Sequence, residues 1–459
     1  MPDPFRHYQG VPVLDLPADP PAPATPAFEV LHGTSGATPA GDGPTFLSQL
    51  LFCSAAISAS KRVPSTGARY ALRVNPSSGN LHPTEFHFLS RGLKDWPDGL
   101  YHYMPSAHMA EQRAVGNFEL RSIGSSAPIV FVLTSIAWRE AWKYRDRAYR
   151  YCLHDIGHAW QALALAARAI GCDTFAIADF PDDEVAQFCR LHDDEWPMLI
   201  VEVRGASVPA RSPDAAETVW YGGHANQLSP ETIAYPSISG IHMATKLRAR
   251  PCGGISVAAP DPHGSPPALP QRPFGEVARG RRSALDFKGG SQSISFTQLL
   301  AILSVTARPL CADFAAARFI QLYLYVHRVN GLLPGVYRHW PRRGELEQIT
   351  IGDQRVAAAG LSLGQDLAGN ACVAFSMIGD LDRAARAHGD RGYRYVHFEA
   401  GAIGHRLYLA ASALGLGATG IGAFYDAEVD RYLGLSPAQG QVVYHFAIGY
   451  PVPDPRLGA

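Results

Sequence analysis

The chain has 459 residues, 47% of them hydrophobic and 18% charged, enough for two domains with cores of their own and too apolar for a disordered chain. Forty basic residues face 41 acidic ones, for a net charge of -1, so the chain offers neither a polycation for nucleic acid nor a basic face for a membrane. No run reaches the roughly 20 apolar residues of a spanning helix, residues 1–20 lack the apolar core of a secretory signal, and seven scattered cysteines without a CxxC spacing fit a reducing cytoplasm better than a disulfide framework or a zinc knuckle.

In chain order, residues 1–44 are rich in Pro, Gly and Ala and read as an irregular arm. A first domain follows at 45–215. It has strands at 85–89 (EFHFL) and 128–136 (PIVFVLTSI), a long helix after residue 147, and a last strand at 198–203 (MLIVEV). Residues 216–275 have linker composition, densest in Pro and Gly at 255–273, with room for a helix within 237–250. A second domain, 276–459, repeats the order: strands at 321–327 and 372–379, a long helix, and a last strand at 442–449.

The resemblance between the domains extends to the residues. Residues 147–191 and 391–435 align without a gap at a constant offset, and 17 of the 45 pairs are identical. The matches run beyond the Ala-rich helix into a leading RxYRY (Arg147/Arg391) and a trailing FxDxEV (Asp182/Asp426). The expected fold is therefore α+β, with two fused copies of one domain whose former two-fold interface has become internal.

Local motifs sit at four places. Pro76-Ser77-Ser78-Gly79-Asn80 makes a tight polar turn whose backbone N–H groups suit a flat heterocycle, or a plain surface turn. Arg279-Gly280-Arg281-Arg282-Ser283 suits a phosphate, or is a solvated basic run. The glycines of Gly415–Gly422 lie between a helix and a strand, the reverse of the strand-to-helix order a dinucleotide loop requires. His154 and His158 have zinc-helix spacing without a third ligand in view, so an interface role is expected and no metal.

These residues resemble a known superfamily. PSSGNLHP is similar to the flavin motif of FMN-dependent nitroreductases, and RRS followed by Phe287 is similar to their phosphate motif. RxYRY, LYLAA, GIGAF and the opening DPFRHYQG resemble the SagB/ThcOx branch of azoline dehydrogenases, in its long tandem form. The resemblance covers nearly the whole chain. It implies two nitroreductase-like domains forming an intramolecular pseudo-dimer. It also implies one FMN between them, held by Arg281, Arg282 and Ser283 of one half and Pro76, Ser77, Ser78 and Asn80 of the other, with Gly420, Ile421 and Gly422 beside the ring. The first half lacks RRS, and the second reads ARPLCADFAAARF at its turn, so the other site is expected to be lost. Leu285 replaces a second basic residue of the phosphate motif, with Arg279 or Arg73 as candidate substitutes.

Azoline dehydrogenases of this branch carry a Lys-Tyr pair, matched by Lys143 and Tyr144, which implies that these act on a substrate proton. The implied activity is FMN-dependent dehydrogenation of a small molecule or modified peptide, with oxygen or another acceptor reoxidising the flavin. An NAD(P)H-fed nitro- or quinone-reductase and a degenerate flavin-binding scaffold are the alternatives. The expected assembly is a monomer or a higher homo-oligomer of the pseudo-dimer.

Overall fold

A computed structural model describes residues 1–36, 41–120, 123–205, 208–213, 217–250, 269–315 and 318–457. Among these, no helix is long and apolar enough to cross a membrane. The protein is built around two 22-residue helices, Ala148–Ala169 and Gly392–Ala413. Each is buried almost all round, because it lies between its own sheet and the other helix. They cross at a glycine pair from the repeat. A Cβ on Gly157 would stand 2.3 Å from the Phe398 carbonyl oxygen, and one on Gly401 would stand 2.2 Å from that of His154. Glycine inside a helix costs about 1 kcal/mol relative to alanine, and here it permits the close backbone approach.

Each half carries one antiparallel sheet with the same spatial order. In the first, Met109–Val115, Gly99–Met104, Thr84–Ser90, Ile129–Ser135, Trp196–Arg204 and Asp173–Ile177 follow one another. In the second the order is Glu345–Ile351, Gly335–Trp340, Ile320–Val326, Val373–Gly379, Gln441–Gly449 and Gly417–Ile421. Central strands such as Ile129–Ser135 and Val373–Gly379 are buried along their whole length. The layers are sheet, helix, helix, sheet, which is the α+β pseudo-dimer that the repeat implies.

The repeat's most persistent polar residues tie the halves together reciprocally. Arg391 and Arg394 each reach Asp182 at 2.8 Å, fully buried. Arg147 reaches Asp426 at 2.7 Å and Arg150 binds the same carboxylate, half exposed. Arg391 also donates to the Ala178 carbonyl and Arg147 to that of Gly422, which are equivalent positions. RxYRY of one half thus clamps the FxD of the other, so both motifs persist in both copies.

The pseudo-symmetry also reaches upstream of residue 45. Helix Ala27–His32 follows Pro26 and helix Phe274–Gly280 follows Pro273, and the two prolines face each other in an antiparallel bridge. Ala27 N–H donates to the Arg272 carbonyl and Phe274 N–H to that of Thr25. Counted from these prolines, Gly33-Thr34-Ser35-Gly36 corresponds to Gly280-Arg281-Arg282-Ser283, but Gly36 bonds the Arg168 carbonyl whereas Ser283 bridges Ala418.

The arm expected to be irregular also contains strands Tyr8–Gln9 and Val13–Asp15, the second added to the first sheet. Tertiary contacts override its composition. Arg6 is fully buried on Asp194 (2.5 Å) and Glu195 (3.5 Å), and the Tyr8 hydroxyl donates to Glu195. Within the linker, Val219–Trp220 extends that sheet and Pro236–Ala244 is helical. Most of its densest Pro- and Gly-rich part, residues 255–268, lies outside the described residues.

Candidate active site

A cavity of about 730 Å³ opens where the halves meet, and both contribute walls. It is lined by Pro76, Ser77, Ser78 and Asn80 of the turn, Lys143 and Tyr144, Arg281, Arg282 and Ser283, and Gly420, Ile421 and Gly422. Every residue that the resemblance assigns to the flavin or to the substrate proton lies on this one surface.

The turn is held by its own side chains. Gly79 and Asn80 both take left-handed φ values, 59° and 62°, which suits a glycine and, among other residues, asparagine. Asn80 Nδ2 donates to the Ala71 carbonyl, and its Oδ1 lies 3.1 Å from His82 Nε2. Ser77 Oγ accepts from His82 N–H at 2.8 Å. Asp155, on the first central helix, accepts from the Ser78 N–H and hydroxyl at 3.1–3.2 Å. These polar side chains brace the loop, and the cavity receives a rigid backbone.

Burial pushes Asp155 up to about 7, against the hydrogen bonds from Ser77 and Ser78. Glu140 is also buried, and burial and Asp155 push its carboxyl well above the ordinary range, against Lys143 and a contact with Ser77. Burial together with Glu140 raises Tyr144, so its phenol keeps its proton at neutral pH. A Cβ on Gly79 would stand 2.5 Å from the Tyr144 hydroxyl, so the turn and the Lys-Tyr segment fit only with glycine there. Lys143 Nζ lies 5.1 Å from the centre of the Tyr144 ring, and the lysine is exposed at the rim.

Arg281 joins the two motifs. Its Nε donates to the Val74 carbonyl at 2.9 Å and its Nη2 to that of Arg73, at the base of the other half's turn. Its Nη1 is buried without a partner. Burial lowers this guanidinium to about 10, so it still carries its charge. An orphaned buried donor on the cavity wall fits an anionic group such as the FMN phosphate. Ser283 Oγ lies 2.9 Å from the Tyr408 hydroxyl, which also accepts from Gly420 N–H. A Cβ on Gly420 would reach within 1.9 Å of Tyr444 Oη, and one on Gly422 within 2.4 Å of Tyr151. Residues 420–422 line the cavity, and their two glycines let Tyr444 and Tyr151 pack directly on the backbone there.

Several wall residues were not assigned to the flavin site from the sequence. Asp155, Tyr151 and His158 come from the first central helix, Tyr408 from the second, and Tyr444 from the last strand. Periodicity marks all of them only as interior positions. Of the two arginines suggested as substitutes for Leu285, Arg73 lines the cavity with its Nε buried and unpartnered, and Arg279 does not. Arg279 is not on the wall and is turned toward the Phe52 and Ile57 carbonyls, and Arg73 is held by those of Thr84 and Pro4. Beyond Arg73, Lys143, Arg281 and Arg282, the cations on the wall are Lys61 and Arg456, both paired with Asp454. His154 stacks on Tyr444 at 4.3 Å, and His158 Nε2 lies 3.1 Å from the Tyr444 hydroxyl, so the histidine pair belongs to the interface between halves.

The dyad-related position is built differently. There the strand Asp173–Ile177 takes the place of Gly417–Ile421, with Ala176 and Ala178 where Gly420 and Gly422 stand. The second half's turn segment crosses onto it. Ala176 N–H donates to the Cys311 carbonyl, Asp313 N–H donates back to Ala176, and the Asp313 carboxylate accepts from the N–H groups of Ala178 and Asp179. Phe314 is buried against Tyr395 at 4.5 Å. The chain itself fills this space.

The protein-family description "Nitroreductase family" matches residues 54–205 and 278–450, well over half of the chain. A protein of Methanocaldococcus jannaschii described as a nitroreductase is 36% identical over 117 residues, covering 25% of this chain and 58% of that one. The microcin B17-processing protein McbC of Escherichia coli is 31% identical over 146 residues, covering 29% of this chain and 54% of McbC. The chain thus spans little more than half the length of these curated relatives. A crystal structure from Anabaena variabilis, also described as a nitroreductase, superposes with a TM-score of 0.76 at 25% identity, over 98% of this chain and 94% of that one. The chain belongs to the nitroreductase family and carries two copies of its domain.

Proposed function

We propose that this oxidoreductase holds a single FMN in the cavity between its halves and dehydrogenates a small or peptide-borne azoline-like substrate. One observation carries the reading. The phosphate motif of the second half is hydrogen-bonded, through Arg281, to the backbone that leads into the flavin turn of the first. The SagB/ThcOx resemblance and the likeness to McbC support a dehydrogenase of that branch.

FMN, when bound, supplies a two-electron acceptor for hydride. In this reading Arg281, Arg282 and Ser283 bind the phosphate, while the Ser77–Asn80 turn and residues 420–422 sandwich the ring. Tyr144, kept protonated, donates a hydrogen bond to the substrate. Lys143, at the rim, would take the substrate proton in its uncharged amine form and become the ammonium. Glu140 lies buried behind the Tyr144 segment, its carboxyl raised by burial and by Asp155.

A reductase fed by NAD(P)H is the second reading, favoured by the nitroreductase description of the archaeal relative. Anaerobic titration of the flavin absorbance separates the two. Bleaching by a thiazoline- or oxazoline-bearing substrate, slowed about a hundredfold in Lys143→Ala, is the expected result. Bleaching by NADPH alone, with nitroarene turnover unchanged in Lys143→Ala, would overturn the dehydrogenase.

A further inference from the structure

A second cavity, of about 910 Å³, is lined by residues of the second half alone and so is not the dyad mate of the first. Its walls carry Arg308, Arg318, Arg338, Arg342, Arg383 and Arg406. A further arginine, Arg343, lies with Arg338 beside the Trp340 ring, at 5.6 and 4.0 Å. The carboxylates on the wall are Asp380 and Glu399. Both are committed: Asp380 pairs with Arg383 at 3.2 Å, and Glu399 accepts from the N–H groups of Phe319 and Ile320.

Arg406 is the informative member. It is 3% exposed, and its partners are neutral: the carbonyls of Val305, Arg308 and Pro309 and the side-chain oxygen of Gln161. Burial, then Arg168, Arg318 and Arg308, lower it to about 9, so a cation is held in a field of cations. Arg338 Nε is buried without a hydrogen-bond partner. Uncompensated buried guanidiniums are costly, and a bound anion relieves that cost. Closely spaced guanidinium forks match phosphate oxygens two at a time.

We infer that this cavity binds a small ligand carrying two or more phosphate groups, at a site separate from the flavin cavity. The inference does not depend on the flavin reading. It takes its charge from Arg308, Arg338, Arg342 and Arg406, and Trp340 offers an aromatic edge to whatever the phosphates are attached to.

Isothermal titration of the purified full chain with inorganic pyrophosphate tests this, with citrate as a control for charge. The expected result is one pyrophosphate per chain, bound at least about tenfold more weakly by the Arg338→Gln/Arg342→Gln variant, and unchanged in Arg282→Gln. Arg342 is exposed and Arg338 half-buried, and circular dichroism verifies that the variant folds. Binding lost in Arg282→Gln instead, binding unaltered in Arg338→Gln/Arg342→Gln, citrate binding as tightly, or no binding at all would each overturn the proposal.

Discussion

The two positions related by the pseudo-dyad had the same starting geometry and reached opposite ends. At one, a strand and a turn stay apart. Gly420 and Gly422 let Tyr444 and Tyr151 pack directly on the backbone there, the Pro76–Asn80 turn is braced from behind by Asp155, and a cavity of about 730 Å³ remains. At the other, Ala176 and Ala178 line the strand, the turn has become Cys311-Ala312-Asp313-Phe314, and the two are hydrogen-bonded directly. The cations diverged in step: counted from the paired prolines, Arg281 and Arg282 correspond to Thr34 and Ser35 of the first half. What both copies retain is the cross-clamp of Arg147 and Arg150 on Asp426 and of Arg391 and Arg394 on Asp182, which holds the halves together wherever the ligand sits. Fusion freed one site from matching the other, but not the interface that both depend on.

The comparison breaks most severely at Arg281. Replacing it with alanine removes the buried donor and two bonds to the opposite turn, and charge-assisted bonds contribute about 1.5–3 kcal/mol each. Flavin affinity should fall at least about a hundredfold, measured as FMN retained through gel filtration, and Arg282→Gln should weaken it less. Asp155 sharpens the contrast through pH. A carboxyl titrates near 4 when unfolded and here near 7, so the folded state binds the proton more tightly. Its stabilising contribution is complete below about 4 and is lost as pH rises through about 7. Denaturant titrations of flavin-free protein at pH 4 to 8 should show wild type losing of order 3 kcal/mol relative to Asp155→Asn across that range.

Lys143→Ala and Tyr144→Phe should leave flavin content intact and lower turnover about a hundredfold, the usual scale for losing a positioned proton carrier. Loss of the flavin as well would make the pair structural. The smallest effect belongs to the filled site. Asp313→Ala orphans two backbone N–H groups and should cost about 1–3 kcal/mol without changing flavin content. Gly420→Ala, by contrast, meets Tyr444 Oη and should lower both, read by thermal melting and flavin absorbance.

Much of this organisation was legible in the sequence. Constant offset and shared flanking motifs established the duplication, and alternating apolar runs located the sheet strands, since periodicity and composition report burial. The distribution of RRS and PSSGN between halves pointed to a shared site before any coordinate was known. Three things were not legible. The counterpart of the phosphate motif, Gly33-Thr34-Ser35-Gly36, has lost the arginines that make the motif recognisable. The arm around Arg6 and Tyr8 is ordered by partners nearly two hundred residues away, Asp194 and Glu195, and local composition carries no trace of that. The wall residues Asp155, Tyr408 and Tyr444 read as core, because a buried helix position and a position facing a buried cavity have the same periodicity.

The central claim is one flavin per chain, and the ratio of FMN to polypeptide in protein reconstituted with excess cofactor and freed of unbound flavin tests it most directly. The account predicts a ratio near one, falling toward zero in Arg281→Ala and unaffected in Asp313→Ala. A ratio near two would mean that the segment at 311–314 does not close the second site. A ratio near zero in the wild type would remove the cofactor from this protein altogether.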